Sequence, residues 1–445
     1  MENKKFGLYT AISLVVANMI GTGVFTSLGF QVLDISSGFA IVLLWLLGGV
    51  AALCGALSYA ELGAAMPRSG GEYFYLSKIY HPALGFTAGW ISFLVGFAAP
   101  VAAASIAFGS YLNKSLNFYS FLPQSLPEGV ITSILAIVII ISISIIHITN
   151  KKLGAIFQNS FTTIKVLILI ILIIIGFVYG NTENISFKAD SSALKDIISP
   201  AFAIALYFVA YSYSGWNAAA YIAGEIKDPA KNIPRSLILG TIIVIILYVL
   251  LNFVFLSTIP IGEMAGQIEI GYLFLGKIWG TQAGIIIGIV IALLLISTIS
   301  SMILTGPRVT QVMGEDYPII KWISKKSRTD IPIRAIIIQG IISIIYVVTS
   351  SFEQVITFIG FTLNIFTFLT VMGVIIHRVK HPEIERPYKT LGYPVIPVIF
   401  LIINSWILVY GLIYRPYESF MGIAVSLLGL IIYYFGRRKP NQLQS

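Results

Sequence analysis

A lysine interrupts one of the most apolar stretches of the chain. Lys165 lies within Phe161–Phe177, otherwise Ile, Leu, Val, Thr and Gly. If that stretch crosses a bilayer, the ammonium sits about nine residues beyond the cytoplasmic start of its span near residue 156, roughly 14 Å deep. A lone cation there costs at least ~2.5–3.5 kcal/mol on insertion scales, so it requires partners. Two other segments place polar or conformationally free residues inside apolar runs. The first is Ala17-Asn18-Met19-Ile20-Gly21-Thr22-Gly23-Val24-Phe25; the second is Ala210-Tyr211-Ser212-Tyr213-Ser214-Gly215-Trp216-Asn217. Covalent chemistry has no such footing. No paired acids, His cluster or activated Ser or Cys falls within the apolar runs, and the single cysteine, Cys54, provides neither a disulfide nor a thiol metal site.

The elements that must hold these residues are membrane helices. Of 445 residues, 57% are hydrophobic and 11% charged, with a mean hydropathy of +0.91. Runs such as Gly129–Ile148, Leu237–Thr258, Ile285–Leu304 and Val395–Ile413 can each span ~30 Å of hydrocarbon. They are continuous rather than alternating, so helices satisfy the backbone in lipid, not barrel strands. The pattern predicts an all-α fold of twelve spans near 8–32, 39–63, 84–112, 129–149, 156–179, 197–223, 236–258, 281–305, 333–349, 354–377, 394–413 and 418–436. The connections are short, the longest being Thr182–Asp196, Gly306–Pro332 and His377–Tyr393, so residues 1–445 read as one membrane domain. Met1–Lys5 and the apolar run behind it imitate a signal peptide, but the run lacks a convincing cleavage site and continues to Phe30; a retained first span is expected.

A net charge of +9 raises the question of nucleic acid, and the distribution of that charge answers it. With the N-terminus inside, 22 of the 28 Lys and Arg residues fall in cytoplasmic segments. Only Lys114, Lys188, Lys195, Lys277 and Arg415 fall outside, and Lys165 is intramembrane. This asymmetry is the positive-inside rule, which sets both termini in the cytoplasm. The basic excess encodes topology rather than a partner.

The two glycine-bearing segments open two groups of five spans, 8–179 and 197–377, with 394–436 as two additional helices. An odd number of spans per group inverts the second relative to the first, the mark of an inverted-repeat transporter with its site at the broken helices. Glycines alone also serve close helix packing; the matching break in the second group favours unwinding. A broken helix frees N–H groups on one half and C=O groups on the other. An α-carboxylate can accept from Gly21, Thr22 and Gly23, at a positive half-helix end. An α-ammonium can donate to carbonyls near Met19, Ile20, Tyr211 and Ser212. Tyr211, Tyr213, Gly215, Trp216 and Asn217 then surround the substrate side chain. No buried carboxylate is expected at either break; Glu61 and Glu225 fall near cytoplasmic span ends, which points to neutral amino acids rather than dicationic amines. His81, His377 and His381 are read as loop residues and His147 as interfacial, without a functional role.

At these residues the chain resembles the amino acid–polyamine–organocation superfamily, and within it the bacterial amino-acid permeases related to the L-type exchangers. The resemblance runs through Ile20-Gly21-Thr22-Gly23-Val24-Phe25, Pro67-Arg68-Ser69-Gly70-Gly71-Glu72-Tyr73-Phe74-Tyr75 and Tyr213-Ser214-Gly215-Trp216. It continues through Gly224-Glu225-Ile226-Lys227-Asp228-Pro229, Ile233-Pro234-Arg235, and Arg308 with Met313-Gly314-Glu315-Asp316-Tyr317-Pro318. It implies a leucine-transporter-like fold with discontinuous helices one and six, in which spans one, two, six and seven move against three, four, eight and nine. It also implies a role for Lys165: sodium-independent members carry a lysine there, bridging first-span backbone around Ala17 or Asn18 and an eighth-span hydroxyl. Ser297 is the best match, with Thr298, Ser300 and Ser301 also in reach. Ser214 departs from the Asp often found in the exchanger branch, which leaves that branch's substrate preference untransferred.

The expectation is therefore a sodium-independent secondary transporter of neutral L-amino acids in the cell membrane, an exchanger or a proton-coupled symporter. Its partners are the bilayer and the amino acid, with protons in the symport case, and no cofactor, no metal and no nucleic acid; an accessory subunit is neither required nor excluded. The rivals are an amino-acid or polyamine antiporter of other specificity and a nutrient sensor without flux.

Overall fold

The computed structural model describes residues 6–118, 127–149, 151–181, 185–325, 327 and 331–436, and the side chains of all of these except 128, 151–161 and 324. Of the basic residues in the topology argument, Lys4, Lys5, Lys326, Arg328, Arg437, Arg438 and Lys439 lie outside the described residues, as do the side chains of Lys151 and Lys152.

The described secondary structure is helical apart from one isolated bridge between Phe6 and Ile226. We label the helices that matter here α1 (Leu8–Met19), α2 (Gly23–Thr26), α3 (Gly38–Ala65), α4 (Glu72–Ile79), α5 (Pro82–Ile91) and α6 (Ala98–Leu116). There follow α7 (Glu128–Thr149), α8 (Lys151–Tyr179), α9 (Ser191–Ile197), α10 (Pro200–Tyr213), α11 (Ala218–Tyr221) and α12 (Pro229–Thr258). The chain ends with α13 (Thr281–Asp316), α14 (Ile333–Thr349), α15 (Phe352–Lys380), α16 (Val395–Tyr414) and α17 (Pro416–Gly436). Among the described residues, ten helices are long and apolar enough to cross a membrane, and the bent pair α9–α10, at 67°, makes an eleventh. The shorter apolar α14 occupies the ninth expected span.

Which faces are exposed shows why the bundle belongs in lipid. On α7, Ile134, Val138, Ile141 and Ile145 recur at helical spacing and are all exposed. On α8, Ile164, Leu167, Ile171 and Ile174 do the same. In water such stripes would be strongly unfavourable; in hydrocarbon they are the ordinary outer surface.

Two helices break. The first span leaves helical geometry at Ile20 (φ −75°, ψ 88°) and resumes at Gly23. The sixth stops at Tyr213, turns through Ser214 (ψ 147°) and Gly215 (φ +98°), and resumes at Ala218. The breaks pack against each other. A Cβ on Gly23 would lie 2.6 Å from the Ser212 Cα, and one on Gly215 would lie 2.8 Å from the Asn18 backbone. Only glycine permits both the approach and, at 215, the positive φ. Facing them, α5 runs into α6 through a π-helical turn, Ser92–Phe97, a feature that recurs at functional sites.

Some boundaries differ from the sequence reading. The eighth span does not end near Gly306: α13 continues through Pro307 to Asp316, because neighbouring elements can absorb the carbonyl a proline frees. His377 is not in a loop but in the last turn of α15, where it is buried.

Candidate functional site

A cavity of about 290 Å3 opens beside the two breaks. Ala17 and Asn18 line it from α1, and Tyr211, Tyr213, Ser214, Gly215, Trp216 and Asn217 from the sixth-span break. The lining continues past Thr10 and Phe6 to Arg308 at the basic end of the bundle. At the opposite end the two broken helices are zipped together. Thr22 Oγ1 and the Tyr211 hydroxyl are 2.6 Å apart, and Ser27 Oγ and Ser212 Oγ 3.1 Å. Beyond them the Phe30 ring stacks on Phe208 at 5.4 Å and Phe352 at 5.7 Å, and the Gly266 N–H donates to Gly29 O. The cavity is thus sealed on one side of the breaks and extends on the other.

The expected substrate residues divide into two groups. Tyr211, Tyr213, Gly215 and Trp216 line the cavity; Met19, Ile20, Gly21, Thr22, Gly23 and Ser212 do not. Among the described residues, the N–H groups of Thr22 and Gly23 donate to no backbone carbonyl, while that of Gly21 faces the Tyr248 hydroxyl. Of the carbonyls expected to receive an ammonium, Met19 O accepts from the Tyr248 hydroxyl at 2.6 Å and Tyr211 O from Ser214 N at 2.9 Å. Ile20 O accepts from Lys165. Each retains its second lone pair. The aromatics are held in place: Tyr213 donates to Trp45 O, and Trp216 stands edge-on to Tyr59 at 4.7 Å, against the face of α3 left open by Gly55.

Lys165 is 4% exposed and turned inward from α8. Its Nζ donates to Ile20 O at 3.1 Å and to Thr298 Oγ1 at 2.7 Å. The arrangement follows from helix termination. The carbonyls at the end of α1 have no intrahelical partner and carry the negative end of its dipole, so a cation there satisfies both. The expected partners are corrected on each side. Ala17 and Asn18 lie within α1, and the acceptor is instead the carbonyl of Ile20, just past the helix end at Met19. Ser297 is directed elsewhere, its Oγ donating to Leu294 O within its own helix. Ser300 is taken by the buried His147, whose Nε2 lies 2.8 Å from its Oγ, so that histidine is a packed interhelical contact rather than an interfacial residue.

The sequence reading missed a carboxylate. Glu72, at the start of α4, is 3% exposed and lies on the cavity wall. Its Oε1 accepts from the Tyr59 hydroxyl at 2.8 Å and from Asn217 Nδ2, in the sixth-span break, at 3.0 Å. Burial pushes this carboxyl up to about 7, against the pull of both hydrogen bonds. The expectation of no buried acid at either break is therefore wrong for the second. Glu61 is buried too, held by Arg378 (2.8 and 2.6 Å) and by Thr390, whereas Glu225 is exposed.

The amino-acid permease family model matches residues 6–435. Similar proteins include b(0,+)-type amino acid transporter 1 of Mus musculus, 28% identical over 97% of this chain and 87% of that protein. Large neutral amino acids transporter small subunit 2 of Homo sapiens is 29% identical over 98% of this chain and 82% of its own length. The b(0,+)-type transporter of Oryctolagus cuniculus is 30% identical over 87% and 78%. Two broken apolar helices meeting at a buried cavity, in a multi-pass bundle matched from end to end, leave one assignment: the chain belongs to the amino acid permease family of the amino acid–polyamine–organocation superfamily.

Proposed function

We propose that this permease is a secondary active transporter of neutral L-amino acids in the cell membrane, independent of sodium and performing no covalent chemistry. The observation that carries the reading is the pair of broken helices at one cavity, sealed on one side and extending on the other. A site between two gates, of which one is closed, is what alternating access requires. The distribution of Lys and Arg supports an orientation with both termini in the cytoplasm, so the cavity belongs to the inward-facing half of the cycle. The two five-span groups, 8–179 and 197–377, serve as inverted repeats, and 394–436 as added helices.

Neutral substrates are favoured by the wall. Gly48, Ala51, Ala52, Leu206, Phe400 and Ile403 are apolar or small. The ionisable acid and base on it are Glu72, which already accepts two hydrogen bonds, and Arg308. One group of relatives is named for large neutral amino acids, which points the same way. Sodium independence is supported by the Lys165 ammonium, which sits between oxygens of the first-span break and α13, where a small cation would otherwise bind. Coupling is then exchange or proton symport.

The test is uptake into proteoliposomes of each of the twenty amino acids in competition with one labelled substrate, in sodium and in choline, with and without a pH gradient. Uptake of neutral amino acids undiminished in choline is expected. Strict sodium dependence would overturn the surrogate-cation reading, and binding without flux would convert the transporter into a sensor.

A further inference from the structure

Glu72 differs from the other acid buried near the basic end of the bundle. Glu61, the other deeply buried acid near the basic end, is neutralised by a bidentate guanidinium. Glu72 has no cationic partner within ion-pair distance among the described residues. Its two donors are both neutral and both converge on Oε1. Among the described residues no hydrogen bond is made to Oε2, and Glu72 is on the cavity wall. One oxygen is thus fixed to the protein while the other is left without a donor, on a residue of the cavity wall.

The groups around it are neutral. Tyr59 faces it from α3, with Thr370 of α15 at the same hydroxyl; Tyr221 faces it from α11 and Asn217 from the break, while Tyr75 of its own helix lies against Tyr59 and Tyr221. Of the nearby cations, Arg68 pairs with Asp316, Arg378 with Glu61, and Lys78 is exposed. Arg308 lines the cavity from α13. Lys165, by contrast, does not line the cavity and has both a carbonyl and a hydroxyl as acceptors. A proton exchanging through the cavity therefore meets Glu72 on the wall itself.

We propose that Glu72 is a proton-binding site of this permease, loaded and unloaded at Oε2 through the cavity, and that its charge sets how firmly the sixth-span break is tied to α3 and α4. The step is simple protonation: Oε2 gains a proton from solvent in the cavity, the carboxylate becomes a neutral acid, and the reverse step returns the proton. The neutral acid is a weaker acceptor at Oε1, so the Asn217 amide is held less strongly. Asn217 is part of the unwound segment, so the change is delivered to the site itself. The elevated proton affinity that burial gives this carboxyl, with its midpoint near 7, makes the exchange accessible at physiological pH. The role of the proton in transport rests on the transporter reading above; the titration of Glu72 does not.

Two measurements on the full-length protein separate them. In lipid nanodiscs, infrared titration across the neutral range should show the C=O stretch of a protonated carboxyl vanishing with a midpoint near 7. Glu72→Gln should abolish that band. Tyr59→Phe, which removes a donor that favours the charged form, should move the midpoint up by as much as about tenfold in proton concentration. In proteoliposomes, the pH profile of labelled L-leucine uptake should follow the same midpoint and shift with Tyr59→Phe. A band that persists in Glu72→Gln, or a midpoint indifferent to Tyr59→Phe, overturns the assignment. Should Glu72→Gln not fold, Tyr59→Phe and Glu72→Asp carry the infrared test. Failure of the wild-type protein to move any amino acid sinks the transporter reading and leaves the infrared result standing.

Discussion

The Lys165 ammonium donates to the Ile20 carbonyl at the point where the first helix stops. Since Thr298 holds the same nitrogen, the broken helix is fastened through α8 to α13. Any movement of the break must carry, stretch or release this bridge. It is a mechanical joint as much as an electrostatic one.

Removing the joint should therefore disable transport more than it disables folding. Lys165→Met keeps the length and apolar stem of the side chain but leaves Ile20 O and Thr298 Oγ1 without their donor. We expect uptake to fall by at least about tenfold, the equivalent of one charge-assisted hydrogen bond of roughly 1.5–3 kcal/mol. Membrane abundance and detergent monodispersity should stay near wild type. Unimpaired uptake in this variant would remove Lys165 from the mechanism.

The glycines of the first break should differ sharply from each other. An added Cβ at Gly23 meets the Ser212 Cα at 2.6 Å, and backbone cannot yield cheaply. At Gly21 the nearest atom is a Thr298 methyl at 3.5 Å, an ordinary contact. Gly23→Ala should therefore cost about 1–3 kcal/mol by overpacking and push the two breaks apart at Ser212. Gly21→Ala should be stable. Thermal unfolding followed by size-exclusion fluorescence distinguishes them; equal melting temperatures would mean that the close approach is not as described.

A third prediction concerns the basic end. Glu61 is 2% exposed at its side chain and is gripped by Arg378, which in turn lies 3.7 Å from the centroid of the Tyr393 ring. Arg386 Nε stands 3.5 Å from the same carboxylate. Arg378→Leu removes the bidentate donor and leaves the buried carboxylate to Arg386 and Thr390, so it should destabilise the protein by about 1.5–3 kcal/mol. Adding Glu61→Gln to that variant should restore part of the loss, because the charge that needed a partner is gone. Additive losses in the double variant would count against the ion pair.

How much of this was readable in advance depends on whether a signal is local. Lys165 was legible because a lone cation among Ile and Leu is an energetic anomaly whatever surrounds it. The breaks were legible because Gly21, Gly23 and Gly215 interrupt otherwise apolar runs. Which hydroxyl meets the ammonium was not. Ser297, Thr298, Ser300 and Ser301 point around α13 in different directions, and only the relative rotation of α8 and α13 selects Thr298. Glu72 was hidden for a stronger reason. It follows Pro67, Arg68 and two glycines in a stretch that reads as a solvated connection. Only when α4 folds back under Tyr59 and Asn217 does it become a wall of the cavity, and that return is a tertiary event with no local periodicity. His377 misled in the other direction, because the helix that carries it runs on past the last apolar residues.

The last prediction turns the burial of Glu72 into a dependence of stability on pH. Glu72 lies in α4, a connecting helix outside the membrane-crossing ones, and burial raises its carboxyl from 4.5 to about 7. The folded state thus prefers the neutral acid, while the unfolded chain ionises first. The stabilisation is complete below about 4.5, falls away as pH rises towards about 7, and changes no further above it. Its total size is roughly 3 kcal/mol. Glu72→Gln offers the same carbonyl acceptor to Tyr59 and Asn217 without a charge to bury. The variant should melt with the wild type in acid and above it in alkali, the gap opening between those two values. A constant difference at every pH would show that the carboxyl does not titrate in the folded protein, and a lower melting temperature in alkali would show that its charged form is the one the fold prefers.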